Sequence, residues 1–338
     1  MILWIIASTG EYFVLYLGIA MTVVVLLFVV AAPTCLMPLF NKFEKIKKNL
    51  LRRDIYRLAK EVDYPLSKIE IVDGSTRSSH SNAFQYGFGK IKKIVVFDTL
   101  LKDHLGFTDE AKEARKDELK TEGDSNTVQA EEDDAAKEPL LGEDGQPKKP
   151  EPYKQDEFLY KNKEGRLEII AIVAHELGHW AHMDSLKNII FVLFQIYLIF
   201  GGFGYSIEYA NMVEDFNFIP TLDSGNDKCK IPESSMFLKL YIFTMILSPI
   251  SYVLEHIQIQ MVRTAEYAAD RYSIEQGYGP QLKAGLIKLF KKNMGALTTD
   301  RLYAFLKHSH PHLEIRLEAI DNEMKNYLKK KSISFEDD

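Results

Sequence analysis

Hydrophobic and polar positions along this chain are segregated into long blocks. Tyr12 to Asn41 carries no charged side chain, and its first 21 residues, YFVLYLGIAMTVVVLLFVVAA, suffice to cross a hydrocarbon core of about 30 Å as a helix. The block predicts a first span near 12–34, ended by Pro33 and Pro38. Met1 to Gly10 supplies no basic leader, so the block reads as a span rather than a cleaved signal. A second uncharged run, NIIFVLFQIYLIFGGFGYSI, lies between Lys187 and Glu208. A third begins at Leu240 and reaches Val262 if Glu255 and His256 are accommodated. Its strictly uncharged part, Leu240 to Leu254, is 15 residues long and contains Pro249, so a buried helix of a soluble domain is the alternative for this run.

Between the first two blocks the period changes. LSKIEIVDG and KKIVVFDTLL gather β-branched residues between turn signals and predict two short strands, joined as a hairpin by SSHSNAFQYGFG. From Asp103 to Glu157 the chain holds 18 acidic and 8 basic residues with few large apolar ones, too little apolar surface to offset chain entropy; a disordered, solvated insert is expected. Helical periodicity resumes near Arg166 and continues through the second span. The tail from Gln281 to Lys330 alternates helical patterns with turns around Gly295 and His308 to Pro311.

Charge then orients the spans. The stretch Lys42 to Glu61 has eight basic residues against three acids, which marks a cytosolic flank. Glu208 to Leu238 has six acids against Lys228 and Lys230, and the stretch after the third run opens with Arg263 and Arg271. All three flanks agree that 42–187 and 263–338 lie in the cytosol. The formal charge of −6 and the dominance of acids exclude a basic nucleic-acid binder, and no nucleic-acid partner is expected. Cys35 and Cys229 are too few for a disulfide framework and read as two unrelated thiols.

The candidate chemistry lies in AIVAHELGHWAH. His175 and His179, spaced i and i+4, share one helix face and can converge on a tetrahedral Zn²⁺. Glu176, about 100° round the helix, reaches the metal's open side, where a carboxylate can deprotonate an activated water. A third ligand is still needed. His182 would sit a further turn along the axis and reads as a surface histidine. Glu266 in RTAEYAAD lies on a second helix, with Asp270 at i+4 free to accept a hydrogen bond from the far nitrogen of a ligand imidazole. Because the charge argument places both helices at the cytosolic ends of spans, two helices that continue into the bilayer should build the site at the membrane surface, where a membrane-bound substrate could reach it.

Five motifs in order across most of the chain, SSHSNAFQYGF (78–88), IVVFDTLL (94–101), HELGHW (175–180), AEYAAD (265–270) and HSHPHLEIRLEAI (308–320), make the sequence resemble the integral-membrane zinc metalloproteases known as type I CAAX prenyl proteases. The resemblance implies that His175, His179 and Glu266 bind one Zn²⁺ per chain and that Glu176 is the general base. It implies that the hairpin offers an edge to which substrate adds as a strand, with Asn82 and His310 binding the peptide backbone or the developing oxyanion, and that Arg316 lies near the metal ligands with Asp270. A donor such as His310 meets a mechanistic need, since each oxyanion donor in comparable sites is worth about 2.7–4 kcal/mol.

The expected fold class is mainly α: a polytopic α-helical membrane protein with a gluzincin-like cytosolic zinc metalloprotease region and a small β-hairpin. Its expected parts are a membrane span and flank (1–41), a cytosolic helix plus substrate-binding hairpin (42–102), the acidic insert (103–157), the zinc-binding helix (158–187), two spans with a luminal loop (188–262), and the third-ligand helix with a C-terminal helical region (263–338). The implied function is removal of the C-terminal three residues of prenylated CAAX proteins, extending to cleavage of a prenylated precursor at an upstream site. The implied location is the endoplasmic reticulum membrane and the inner nuclear membrane, with the bilayer and prenylated CAAX-protein substrates as partners and the active site on the cytosolic side. Two other readings stay open: a quality-control membrane zinc protease acting on misfolded membrane proteins, and an inactive truncated membrane scaffold. The family has seven spans and this chain begins just before a late one, so the N-terminal spans are expected to be missing; the modest mean hydropathy of −0.15 agrees.

Overall fold

The computed structural model describes residues 12–105, 162–209, 212–216, 235–295 and 299–336. Nearly all of the acidic insert, most of the loop between the second and third apolar runs, and Cys229 lie outside the described residues. In chain order the described elements begin with α1 (Phe13–Ala31), a π-helical turn (Ala32–Leu36), α2 (Met37–Phe40), β1 (Phe43–Lys45), α3 (Leu50–Glu61), β2 (Leu66–Val72), β3 (Ala83–Phe88), β4 (Ile91–Phe97) and α4 (Asp98–Leu105). They continue with α5 (Lys163–Ala181), α6 (Asp184–Glu208), α7 (Met212–Asp215), α8 (Ser235–Glu275), α9 (Gly279–Lys292), α10 (Arg301–Lys307) and α11 (Leu313–Glu336). The chain divides into two compact units. One comprises residues 1–32, 183–266 and 299–311; the other comprises 33–182, 267–298 and 312–338.

In the first unit, apolar helices expose their side chains. Among the described residues three helical stretches, the first and third of which run on past this unit, are long and apolar enough to cross a membrane: Phe13–Phe40, Asp184–Glu208 and Phe237–Glu275. Pro33 and Pro38 do not end the first. The backbone widens into the π-helical turn at Ala32–Leu36, which accommodates the missing proline donor, and Pro38 sits in the first turn of α2, where no donor is needed. The helix ends only at Asn41, which is extended. Small residues let α1 and α6 approach: a Cβ on Gly18 would lie 2.5 Å from the Tyr197 ring, and one on Gly204 2.5 Å from Val14. Phe13 meets Phe203 edge-on at 6.3 Å, and Phe203 in turn packs on Phe243 of α8 at 5.5 Å.

The third apolar run and the segment bearing Glu266 are a single 41-residue helix, α8, running through Pro249. The second run behaves in the opposite way. The periodicity that was expected to pass unbroken from Arg166 through the span stops at His182, because Met183 adopts a left-handed conformation (φ 54°) and α6 starts afresh at Asp184. Glycine or asparagine usually holds such a position, so a methionine there offers no signal in the sequence. The H-E-x-x-H helix therefore ends before the second apolar run, whereas the helix bearing Glu266 is continuous upstream with the third.

The second unit is built round a four-stranded sheet of order β1-β2-β4-β3. The two strands expected to form a hairpin, β2 and β4, are instead parallel neighbours, and the segment expected to be their connection contains β3, which pairs antiparallel with β4. AFQYGF is a strand whose tight turn, Gly89–Lys90, takes its positive φ from Gly89 (φ 55°), while Gly87 (φ 118°) lies within the strand opposite Lys92. Asp103, His104 and Leu105, counted above with the insert, complete α4, and His104 and Leu105 are buried.

The core of this unit joins Ile69, Ile94 and Val96 of the sheet, Leu51, Ile55 and Leu58 of α3, and Ile169, Ile170, Val173 and Leu177 of α5. The start of α5 is pinned to α4. Asn162 caps the helix by accepting from the Gly165 N–H (3.1 Å) while its amide donates to the His104 carbonyl (3.1 Å). A side chain on Gly165 would collide with that carbonyl. Buried Glu168 holds both His104 Nδ1 and Lys288 Nζ, each at 2.6 Å. Burial pushes the His104 imidazole below its ordinary value against the opposing pull of the Glu168 carboxylate.

Candidate metal and peptidase site

Helix α5 is apolar through AIVA because that stretch is core, and its next turn carries the motif. The His175 and His179 rings lie 4.8 Å apart, nearly perpendicular. Gly178, between them, lets the C-terminal end of α8 come very close: a Cβ there would sit 2.8 Å from the Ala269 Cα. Ser273 seals the same contact by donating to the Ala171 carbonyl at 3.0 Å. With Ala269 and Asp270 held this way, Glu266 is carried one turn upstream on the same continuous helix. The donor atoms of His175, His179 and Glu266 come within 4.8 Å of one another. His175 and Glu266 are buried, and His179 is partly so.

The set fits a divalent cation that accepts nitrogen and oxygen ligands. Two imidazoles and one carboxylate converge, and His175 presents one face already committed: its Nδ1 lies 3.0 Å from Asp270 Oδ1. A carboxylate on one ring nitrogen is the arrangement that orients metal-ligating imidazoles. Asp270 is in turn gripped by Arg316, whose Nε and Nη2 reach its two oxygens at 2.6 and 2.8 Å, a bidentate pair. Arg316 Nη2 also lies 3.2 Å from each ring nitrogen of His175. His182 is outside the cluster; it caps α5, with Nδ1 2.8 Å from the Gly178 carbonyl.

Glu176 is partly buried on the neighbouring face. Tyr64 lies on this side of α5, edge-on to Trp180 at 5.0 Å and donating to Gln85 of β3 at 3.2 Å. Burial, and after it the Glu176 carboxylate, push the Tyr64 phenol up from its ordinary value. Nothing in the sequence around DYPLS marks Tyr64 as a neighbour of the motif.

His310 is 69% exposed and places Nδ1 3.0 Å from Glu266 Oε1. Its loop is tied to α8 by Arg263, a buried side chain that donates to the Ala304 and His308 carbonyls at 3.3 Å each, and by Gln260, which donates to the Phe305 carbonyl at 2.8 Å. In the sequence Arg263 reads only as a cytosolic charge. Asn82 is exposed, immediately before β3; its Oδ1 accepts from the Ala83 N–H (2.8 Å) and its carbonyl from the Phe97 N–H (3.0 Å). Because β3 ends the sheet order, its outer edge has no strand partner among the described residues, and α5 packs against β3.

Comparison with known proteins fits this geometry. The model of peptidase family M48 matches residues 45–324, and the model described as the CAAX prenyl protease N-terminal region, five membrane helices, matches residues 1–42. CAAX prenyl protease 1 homologues of Taenia solium and Mus musculus are each 33% identical, covering 96% and 95% of this chain but 59% and 61% of their own lengths. The crystal structure of S. mikatae Ste24p superposes with a TM-score of 0.65 at 28% identity, over 95% of this chain and 61% of that one. The chain thus spans about 60% of the length of the curated relatives it matches. With this architecture of apolar helices and a His-His-Glu cluster, it belongs to peptidase family M48 and, within that family, resembles the CAAX prenyl protease 1 proteins.

Proposed function

We propose that this chain carries the catalytic region of a multi-pass membrane zinc endopeptidase that removes the C-terminal three residues of prenylated CAAX proteins, working on the cytosolic side of the endoplasmic reticulum membrane. The observation that carries the reading is the convergence of His175, His179 and Glu266, with Glu176 on the same helix and that helix packed against β3, whose outer edge has no strand partner among the described residues. The names of the relatives supply the substrate class.

His175, His179 and Glu266 would hold the zinc ion. When bound, zinc supplies Lewis acidity that polarises the scissile carbonyl and acidifies water. Asp270 keeps the proton of His175 on Nδ1, and Arg316 balances the charge of that carboxylate. Glu176 takes the proton of the attacking water and returns it to the leaving amine. The peptide lies extended along β3, where main-chain hydrogen bonds fix its register. Asn82 at the start of that edge binds its backbone, and His310 donates to the developing oxyanion.

The test is release of the C-terminal tripeptide from a farnesylated CAAX peptide by zinc-loaded protein in lipid nanodiscs. Glu176→Gln should lower the rate by about 10²–10⁴-fold with zinc content unchanged. Activity retained in Glu176→Gln would overturn the mechanism. Equal cleavage of the unprenylated peptide would favour quality-control proteolysis, and protein that takes up no zinc would favour the scaffold.

A further inference from the structure

We propose that Asn293 is a positioning residue for peptide binding, setting the depth of the β3 edge against the metal helix by pairing its side-chain amide with the backbone of Ser81. The proposal rests on the reading of β3 as the peptide-binding edge.

Asn293 Oδ1 accepts from the Ser81 N–H at 2.9 Å, and its Nδ2 donates to the Ser81 carbonyl at 3.2 Å. One carboxamide thus occupies both main-chain groups of one residue, as a neighbouring strand would. Ser81 is 2% exposed, so water has little access to replace either bond. The hydroxyl of Ser81 donates to Asp103, which also pairs with Lys292, the residue before Asn293, at 3.1 Å. The preceding carbonyl, of His80, accepts from Thr99 at 2.9 Å. Asn82 follows directly, with its carbonyl held by β4.

The other end of this linkage is the metal helix. Asn293 caps α9, and Met294 turns the chain sharply with a left-handed φ of 49° while the Gly295 N–H bonds back to the Phe290 carbonyl at 3.0 Å. The same helix lies against α5: a Cβ on Gly285 would touch Ile172 at 3.2 Å, and Lys288 binds Glu168. Ile172 and Glu168 lie one and two turns before His175. Helix α9 therefore acts as a ruler, with one contact on the helix that carries the zinc ligands and the other on the residue before Asn82. The metal donors themselves touch neither Asn293 nor Ser81 in any contact described above, so the linkage acts on where the peptide lies.

The experiment compares wild type, Asn293→Ala and Asn293→Asp as zinc-loaded protein in nanodiscs, with steady-state cleavage of a farnesylated CAAX peptide, zinc content and amide hydrogen exchange. Asn293→Ala should raise KM about tenfold, the effect of roughly one buried hydrogen bond, with kcat within about twofold and zinc unchanged. Asn293→Asp keeps an acceptor for the Ser81 N–H but sets a second oxygen against the Ser81 carbonyl, so its KM should rise at least as far. Exchange over Ser81–Gln85 should quicken in both, while that of the α5 core does not. An unchanged KM in both variants, or equal losses of kcat and zinc, would overturn the proposal. If wild type cleaves no prenylated peptide, the functional reading fails on its own, and the exchange arm still decides the anchor: unchanged exchange in Asn293→Ala sinks it.

Discussion

The two halves of α8 follow opposite rules. From Phe237 to Val253 the helix turns large apolar side chains outward, with Phe237 69% and Met245 58% exposed. From Arg263 to Ser273 it buries polar ones: Arg263, Glu266, Asp270 and Ser273 are all under 9% exposed. A helix in water does the reverse in both places. In the first half the surrounding medium is read as lipid, for which an outward Met or Phe costs nothing. In the second half each buried polar group has a stated partner: Arg263 on carbonyls, Glu266 on His310, Asp270 on His175 and Arg316, Ser273 on Ala171. Burial of charge is tolerated there because partners compensate desolvation, and the proposed metal ligand Glu266 lies within this compensated stretch.

The sharpest way to break this contrast is to make the second half obey the rule of the first. Glu266→Leu is expected to leave the chain folded but to drop bound zinc far below one per chain, measured by atomic emission. Cleavage should fall by at least about a hundredfold, since losses of that order follow even from altering a ligand's neighbour. Next in size is the close approach that brings the helices together. Gly178→Val should cost about 1–3 kcal/mol by overpacking against Ala269, whereas Met245→Val, on the outward apolar half, should stay within about 0.5 kcal/mol. Denaturant unfolding in detergent compares the two, and equal costs would remove the distinction.

The smallest effect concerns acid sensitivity away from the metal. His104 is buried and its folded pKa lies below the unfolded value of about 6.5, so the unfolded chain binds the extra proton. Its contribution is complete above that pH and is lost as pH falls through the folded value. His104→Asn should therefore be destabilised most at pH 7.5, with the gap to wild type narrowing below pH 6.5. Unfolding midpoints across that range check the sign; a gap that widens in acid would contradict it.

Much of this molecule was legible along the chain because the relevant signals are local. An uncharged block of spanning length and H-E-x-x-H on a helix are both periodicities that one segment carries by itself. Other features failed for identifiable reasons. The strand AFQYGF was hidden inside what read as a turn, because its glycines signal reversal as strongly as its alternation signals pairing. The proline pair reads as a stop in sequence, but the π-helical turn absorbs what an α-helix cannot. Met183 breaks the helix without any residue that favours the left-handed region.

The sequence alone determined the donor types, their i and i+4 spacing, the carboxylate one turn before Asp270 and the apolar blocks, since each depends on residues within a few turns of one another. Tertiary structure alone decided that Gly178 meets Ala269, that Arg316 closes on Asp270 and that Asn293 pairs with Ser81. Those pairings join residues 46 to 212 positions apart in the hydrogen-bonded cases, and they exist only once two surfaces have packed closely enough to exclude water from between them.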